Sequence, residues 1–219
     1  MASRRSIDDL QAQLDAESAW RKRELGTMQA MLSTARVHEA DMLRRAAIAL
    51  TYAHWEGFVK VAGEFVLSYV AEQKLPRNQV NNALFASSMS AKIRDAGASK
   101  SARPLVDLIA DLRIGSASQC VVRTTVSTAS NLNREVFEDV MYGMGIDFND
   151  VWDAQPGKTD IDLDDRLLRR RNGIAHGAWL TPEDGECRFL IDAVRALIDA
   201  TSTAYSNFVA QRRFEATSE

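Results

Sequence analysis

One long run of residues with helical periodicity constrains the fold of this chain more than any other feature. From Val37 to Lys74, the side chains of one stripe recur at steps of three and four residues, as on one face of a helix: Leu43, Ala47, Leu50, His54, Phe58, Ala62, Phe65 and Tyr69. Pro76 then ends the pattern, because proline cannot continue a helix. The run predicts a helix long enough to be the spine of a bundle, with His54 as a core histidine.

Shorter periodic segments predict further helices, separated by breaks rich in Ser, Gly and Ala, at 78–96, 103–114 and 132–144. Ser130 or Asn131 is expected to cap the third of them. The helix that carries Leu163, Leu167 and Leu168 is expected to start at Thr159 or Asp160. A last amphipathic helix is predicted to begin between Thr181 and Cys187 and to run to about Arg213.

The stretch from Cys120 to Thr128 is rich in Val and Thr, which favours an extended segment or a short strand. No second strand is predicted to pair with it, and an isolated strand is not stable. Only 4 prolines and 11 glycines interrupt the 219 residues. The fold class is therefore predicted to be all-α, a helical bundle.

The N-terminal segment is predicted to form a long first helix. Ser6 and Asp9 have the spacing of a capping box, and apolar or small residues follow at helical steps: Ile7, Leu10, Leu14, Met28, Met31 and Ala35. Charged residues interrupt the same seam at Glu17, Arg21 and Glu24. We therefore expect this helix to pack weakly on the rest of the chain or to pack against a partner, with residues 1–35 as an extension and residues 36–214 as the main domain.

Composition limits the classes of function. The net charge of −3 and the pI of about 5.7 argue against a protein that coats nucleic acid through bulk electrostatics. Two distant cysteines give neither a disulfide framework nor a metal cluster, and no segment has the length of a membrane span. We expect a soluble cytoplasmic protein with no metal site, no cofactor and no membrane partner.

The stretch that suggests chemistry runs from Leu167 to Gly177, where Arg169, Arg170 and Arg171 precede an Asn-Gly pair and a histidine. Arginine binds phosphate with a planar fork, and histidine exchanges protons near neutral pH, so the combination suits a phosphodiester. The alternative is structural: the arginines form a solvated basic face, Asn172-Gly173 caps the helix, and His176 is packed in the core.

On an unbroken helix, the side chains of Arg171 and His176 would point about 140° apart and lie about 7.5 Å apart along the axis. They would then not meet at one small site. Either the helix bends at Gly173, which can adopt positive φ, or two copies of the chain contribute both residues to a shared groove.

Residues Arg171 to Gly177 resemble the R-x-x-x-x-H signature of the HEPN superfamily (higher eukaryotes and prokaryotes nucleotide-binding), in which asparagine commonly follows the arginine. Two other stretches, Leu50 to Lys60 and Thr128 to Phe137, are similar to the same family. The resemblance covers roughly Ala35 to Ala210 and is to the stand-alone proteins of bacterial toxin and defence loci. Ala178 stands where some HEPN toxins have the tyrosine of an H-x-Y ending, so control through that tyrosine is not implied.

The resemblance implies a HEPN-type bundle whose active site lies at the two-fold axis of a homodimer. RNA would be the substrate, and an antitoxin or another regulatory protein a further partner. Metal-free RNA cleavage needs a base, an acid and cations that stabilise the phosphorane, and two copies of His176 supply the first two. We assign proton transfer to His176, the transition-state phosphate to Arg171 and positioning to Asn172.

Supporting roles are assigned to residues around this set. Glu56 is expected to orient a catalytic group, as an acidic or polar residue on the early helix does in relatives, or else to be solvated. Arg170 and Arg169 are candidates for binding the RNA backbone. The sequence thus predicts a metal-independent endoribonuclease that cuts single-stranded RNA. Two alternatives stay open: a HEPN dimer that binds RNA, a nucleotide or a protein without cutting, and a purely structural dimer.

Overall fold

The computed structural model describes residues 6–129, 131–152 and 163–217. Within these ranges the chain is all-α, as predicted, and its helices follow one another as α1 (Ile7–Thr34), α2 (Val37–Glu72), α3 (Asn82–Ala98), α4 (Arg103–Ile114), α5 (Arg134–Met144), α6 (Asn149–Trp152), α7 (Arg169–Ala175) and α8 (Asp184–Ala210). Short 3-10 turns lie at Arg77–Gln79 and Gly115–Ala117. A π-helical turn, Leu163–Leu168, leads directly into α7.

Three long helices form the centre of the bundle, because α1, α2 and α8 each pack against the other two. Their shared core is filled by aromatic side chains that are almost fully buried, with contributions from α5 and the C-terminal turn: Tyr52, Trp55, Phe58, Phe137, Tyr205, Phe208 and Phe214. Buried aromatic rings of this size dominate the energy of a core. The prediction that Val37 to Lys74 forms the central helix of a bundle is therefore confirmed by α2. His54 is buried in it as predicted, with 3% of its surface exposed.

The first helix packs more tightly than its charged seam suggested. Leu10, Leu14, Leu25 and Leu32 of α1 all belong to the main core. The expectation that this helix packs weakly on the rest of the chain is wrong, because its leucines are buried between α2 and α8.

The charged residues on the seam of α1 are accommodated by pairing with each other and with α2. Arg21 is 6% exposed, forms an ion pair with Glu17, and lies against Gly57, where an added Cβ would come within 2.8 Å of its Nη1 atom. Glu24 Oε2 lies 2.8 Å from Nε2 of His54. The buried charge of Arg21 is tolerated because it is paired, and half of the Glu24 side chain is exposed, so these residues do not prevent the seam from being buried.

Capping explains where several helices begin. The predicted capping box is present at α1: the Ser6 hydroxyl accepts from the amide of Asp9, and the Asp9 carboxylate accepts from the amide of Ser6, both at 3.0 Å. At α5 the prediction was wrong, because the side chain of Asn133 caps the helix by accepting from the amide of Val136 at 2.8 Å. Ser130 lies outside the described residues.

The segment from Cys120 to Thr128 has no regular secondary structure and is not part of a sheet. Its buried side chains, Cys120, Val122, Val126 and Thr128, face the helices and cover the side of α2. Only isolated bridges occur among the described residues, so the strand interpretation is wrong and the extended segment stays a prediction.

The remaining helix boundaries agree with the predictions to within a few residues. The last helix begins at Asp184 and ends at Ala210, and α4 has the predicted bounds. The predicted starts at Thr159 and Asp160 lie outside the described residues. Of the helices described, none is both long and apolar enough to cross a membrane.

Candidate functional site

Helix α7 is held against the spine by apolar residues at both of its ends. Leu167, two residues before the helix, is 1% exposed, and Leu168 and Ile174 pack on the main core. These three anchors fix the helix on α2, which fits the contacts between the two elements. Arg171 lies between the anchors, so its side chain meets the surface of α2.

The guanidinium of Arg171 is held by polar groups from three parts of the chain. Its Nη1 atom donates to Oδ1 of Asn131 at 2.9 Å and to Oδ1 of Asn172 at 2.7 Å. Its Nη2 atom lies 3.5 Å from Oε2 of Glu56, which adds a longer charged contact. Arg171 is thereby oriented, because three acceptors approach the same planar group from fixed positions.

Glu56 is itself held in place. Its second oxygen, Oε1, accepts a hydrogen bond from the Thr128 hydroxyl at 2.8 Å, and its side chain is 23% exposed. The carboxylate therefore bridges the 120–128 segment and α7 across the face of α2. Glu56 is bonded through both oxygens, and its role in orienting a catalytic group stays a prediction.

The aromatic ring of Tyr52 on α2 also contacts Arg171. The guanidinium carbon of Arg171 lies 4.0 Å from the centroid of the Tyr52 ring, a cation–π contact. The Tyr52 hydroxyl accepts a hydrogen bond from the amide of Leu132 at 2.6 Å, which ties the loop that carries Asn131 to the spine. Burial raises the pKa of Tyr52 to about 12, so its hydroxyl stays neutral near physiological pH.

Arg171 keeps donors that could serve a ligand. A guanidinium has five N–H groups, and the three contacts above leave Nε–H and one N–H of Nη2 without a protein acceptor in the described part of the chain. The side chain is 25% exposed. A fixed and partly exposed cation with unused donors is a suitable binding group for a phosphate oxygen.

The two arginines before it have different surroundings. Arg170 pairs through Nε with Glu186 at 2.8 Å, which ties α7 to the start of α8, while Arg169 lies on the exposed surface. Arg170 and Arg171 are each about a quarter to a third exposed. The structure therefore brings Arg171, Asn172 and Glu56 together and leaves Arg169 and Arg170 outside this cluster.

The helix does not bend at Gly173. That residue lies inside α7 without a positive φ, and the left-handed residue is Gly177, with φ of 80°. The amide of Ala178 donates to the Gly173 carbonyl at 2.8 Å, and the amide of Gly177 donates to the Ile174 carbonyl at 3.1 Å, which together form a Schellman cap. The predicted bend is wrong, because the chain reverses after His176 and not before it.

Gly173 instead allows a close approach. A Cβ built at this position would lie 2.7 Å from Cδ1 of Leu180, so the chain that follows the turn folds back onto the helix there. The interpretation of Asn172-Gly173 as a helix cap is also wrong, because both residues lie within α7.

His176 follows α7 directly and is exposed. Its side chain forms no hydrogen bond and no ion pair with the residues that the structure describes. The hypothesis of a packed core histidine is therefore wrong. A regular helix directs the two side chains about 140° apart. No contact between Arg171 and His176 occurs among the described residues.

Sequence analysis missed three residues of the Arg171 cluster: Tyr52, Thr128 and Asn131. Tyr52 and Glu56 are four residues apart and so lie on one face of α2, a spacing that could have pointed to their shared partner. Asn131 had been interpreted as a cap, a role that Asn133 fills. In the described ranges, no group of three or more His, Cys, Asp or Glu residues is arranged to hold a metal ion.

Comparison with protein families supports the resemblance seen in the motif. A family model described as RiboL-PSP-HEPN matches residues 16–207. The chain belongs to this HEPN family. No curated protein and no solved structure matches it significantly.

Membership in a HEPN family indicates a function of the ribonuclease or nucleotide-binding type. The all-α architecture with a long first helix agrees with it. The match begins at residue 16, inside α1, and the division of the HEPN chain into an extension at 1–35 and a domain at 36–214 stays a prediction.

Proposed function

We propose that this HEPN chain is a metal-independent endoribonuclease of toxin or phage-defence type that cuts single-stranded RNA. The observation that supports this most is the Arg171 guanidinium, which Tyr52, Glu56 and Asn131 hold while two of its donors stay unused by the described residues. A cation fixed before the reaction stabilises developing phosphorane charge without reorganisation, and such preorganisation usually contributes more to catalysis than any other single effect.

Proton transfer is assigned to His176. In one chain this histidine is exposed and has no partner in the described ranges, so a second copy is needed to complete the site. We propose a homodimer in which two copies of His176 and two of Arg171 line one groove. One histidine then acts as base and the other as acid, which a single copy cannot do in the same step.

In the proposed reaction, the neutral histidine takes the proton of the 2′-hydroxyl. The oxygen attacks the adjacent phosphorus, and the bond from phosphorus to the 5′-oxygen breaks. The protonated histidine gives its proton to the departing 5′-oxygen. The products are a 2′,3′-cyclic phosphate and a 5′-hydroxyl, and Arg171 donates to the phosphorane oxygens throughout.

Other residues have supporting roles. Asn172 and Glu56 position Arg171 through the contacts measured above, and Asn172 also lies four residues before His176 on the helix. Arg169 and Arg170 are candidates for binding the RNA backbone, and Arg170 also pairs through Nε with Glu186. An antitoxin or another regulatory protein would restrain such an activity in the cytoplasm.

A second function has an observation in its favour. No carboxylate or carbonyl in the described residues orients the imidazole of His176, whereas an efficient general base is commonly oriented by such a group. The HEPN dimer could therefore bind RNA, a nucleotide or a protein through Arg171 without cutting.

A digestion assay with structured and unstructured RNA tests the proposal. Wild-type protein should cut single-stranded RNA in excess EDTA and leave a 2′,3′-cyclic phosphate, and it should not cut RNA whose 2′-hydroxyl at the cleavage site is methylated. His176→Ala should be inactive.

The matched control is His38→Ala, which removes another exposed histidine and should keep the activity. A 5′-phosphate product, or equal activity of His176→Ala and wild type, would contradict the mechanism. Tight RNA binding without cleavage at any pH would support the binding function instead.

A further inference from the structure

A large aromatic side chain lies exposed next to the motif. Trp179 is three residues beyond His176, and 77% of its surface is open to solvent. An indole with an open face can stack on a ligand, and tryptophan is enriched at interfaces because its ring combines apolar faces with a polar N–H. Most of this ring therefore takes no part in the packing of the fold.

The exposed indole is held beside α7. The Schellman cap at Gly177 reverses the chain, and the amide of Ala178 bonds to the Gly173 carbonyl at 2.8 Å. Leu180 then packs on Gly173. Trp179 lies between these two anchors, so its backbone is fixed although its ring is exposed.

Arg45 of α2 contacts this ring. Its guanidinium carbon lies 4.5 Å from the Trp179 centroid, and the side chain forms no ion pair or hydrogen bond with the residues that the structure describes. Neighbouring arginines are paired with carboxylates, as in Arg44 with Asp41, Arg170 with Glu186, and Arg188 with Asp184. Arg45 thus keeps its charge and donors available for an anion.

The position of Arg45 relates this pair to the Arg171 cluster. Arg45 and Tyr52 are seven residues apart on α2, so they lie on the same face and about 10.5 Å apart along the axis. Tyr52 supports Arg171, and Arg45 supports Trp179. One face of the spine therefore supports both the arginine proposed to bind phosphate and an aromatic ring with its own cation.

We propose that Trp179 and Arg45 form a subsite for one unpaired nucleotide that flanks the phosphate held by Arg171. The inference rests on the proposed function, because it takes RNA as the ligand. The base stacks on the open surface of the indole, and Arg45 binds the adjoining phosphate. Stacking on an aromatic ring accepts every base but requires an unstacked one, so the subsite selects single-stranded RNA and not sequence.

Binding of an uncleavable RNA tests the subsite separately from the chemistry. The probe is an end-labelled single-stranded oligonucleotide with 2′-O-methyl groups throughout, and affinity is measured by fluorescence anisotropy at fixed salt. Trp179→Ala should weaken binding about tenfold, and Trp179→Phe should keep most of the affinity because a ring remains. Tyr142→Ala is the matched control, since Tyr142 is also 77% exposed, and it should bind as wild type does.

A scan of single abasic positions identifies the stacked base, in a shortened oligonucleotide that only spans Arg171 and Trp179 and so binds in one register. For wild type and Trp179→Phe, one abasic position should weaken binding about as much as Trp179→Ala does. For Trp179→Ala, that position should have no further effect. Equal affinities of wild type and Trp179→Ala, an absence of RNA binding by wild type, or an abasic profile that does not depend on Trp179 would each overturn the subsite.

Two parallel measurements separate the alternatives. Light scattering of each variant tests whether Trp179 is a contact between copies: a dimer that dissociates in Trp179→Ala, with an unchanged abasic profile, overturns the subsite. Cleavage of unmodified RNA by wild type tests the proposed function. If wild type does not cut RNA while the abasic profile depends on Trp179, the subsite stands and the nuclease assignment fails. If wild type cuts RNA and Trp179→Ala binds it normally, the nuclease assignment stands and the subsite fails.

Discussion

Arg171 stacks on Tyr52, with the guanidinium carbon 4.0 Å from the ring centroid, while the hydroxyl of the same tyrosine accepts from the amide of Leu132 at 2.6 Å. One buried side chain thus supports the arginine and fixes the loop that supplies Asn131, its hydrogen-bond acceptor. The orientation of Arg171 is therefore set by the packing of α2 against the rest of the bundle and not by α7 alone.

We predict that Tyr52→Phe lowers the free energy of unfolding by about 1–3 kcal/mol, because the buried amide of Leu132 loses its acceptor. The ring remains under Arg171, so RNA cleavage at a temperature where the variant is folded should fall only a few-fold. Urea denaturation measures the first effect. Tyr205→Phe is the control: its hydroxyl makes only a 3.4 Å contact with the Val59 carbonyl, and its removal should cost less. Equal costs for the two variants would argue against a role for the Tyr52 hydroxyl.

We predict that Arg171→Lys abolishes cleavage with little change in stability. Lysine keeps the charge but cannot donate to Asn131 and Asn172 and also present a planar fork to phosphate. Arg212→Lys, at an exposed arginine paired with Glu215, should cut RNA at the wild-type rate. Single-turnover rates measure this, and wild-type rates for Arg171→Lys would contradict the role of the fork.

We predict that Gly177→Ala destabilises the protein by about 1–2 kcal/mol, since a residue with a Cβ is strained at φ of 80°. No heavy atom lies within 4 Å of the added Cβ, so the cost is backbone strain alone. Gly177→Asn should be milder, because asparagine tolerates this conformation. Gly26→Ala, on a helix and equally free of contacts, should instead stabilise by about 0.5–1 kcal/mol in thermal denaturation. The same sign for both alanine variants would contradict the assignment of the cap.

We predict that stability falls as the pH is lowered below about 6.5, and that His54 causes part of this loss. Burial lowers the pKa of His54, against the opposing effect of Glu24, while Arg21 adds to the lowering. The unfolded histidine therefore binds its proton at a higher pH than the folded one, so its contribution is present above the unfolded value and is lost as pH falls through the folded value.

Urea denaturation at pH 7.5 and pH 5.5 measures the effect. His54→Gln should reduce the difference in unfolding free energy between the two pH values, even if it lowers both. His38→Ala, at an exposed histidine, should leave the difference unchanged. An unchanged difference in His54→Gln would assign the acid sensitivity to other groups.

We predict that the protein is a homodimer, because the exposed His176 of one chain lacks, among the described residues, the partner that a two-histidine mechanism requires. Light scattering should give about twice 24.3 kDa at micromolar concentration. A strict monomer that still cuts RNA would contradict the shared site.

The helices could be predicted from the sequence because their signals are local. The stripe of α2, the stop at Pro76, the capping box at Ser6 and the amphipathic face of α8 all depend on residues a few positions apart. The Arg171 to His176 motif was also visible, through its resemblance to a family that the chain proves to belong to.

Only the tertiary structure decided which residues surround that motif. Glu56 and Tyr52 meet Arg171 more than a hundred positions away along the chain, and such a contact depends on how α7 packs on α2. Residue types and spacing alone predicted a cap at Asn131, a bend at Gly173 and weak packing of α1 because of its charged residues. In the packed bundle, Asn133 caps α5, the chain turns at Gly177 with positive φ, and Glu24 of α1 lies beside His54 of α2.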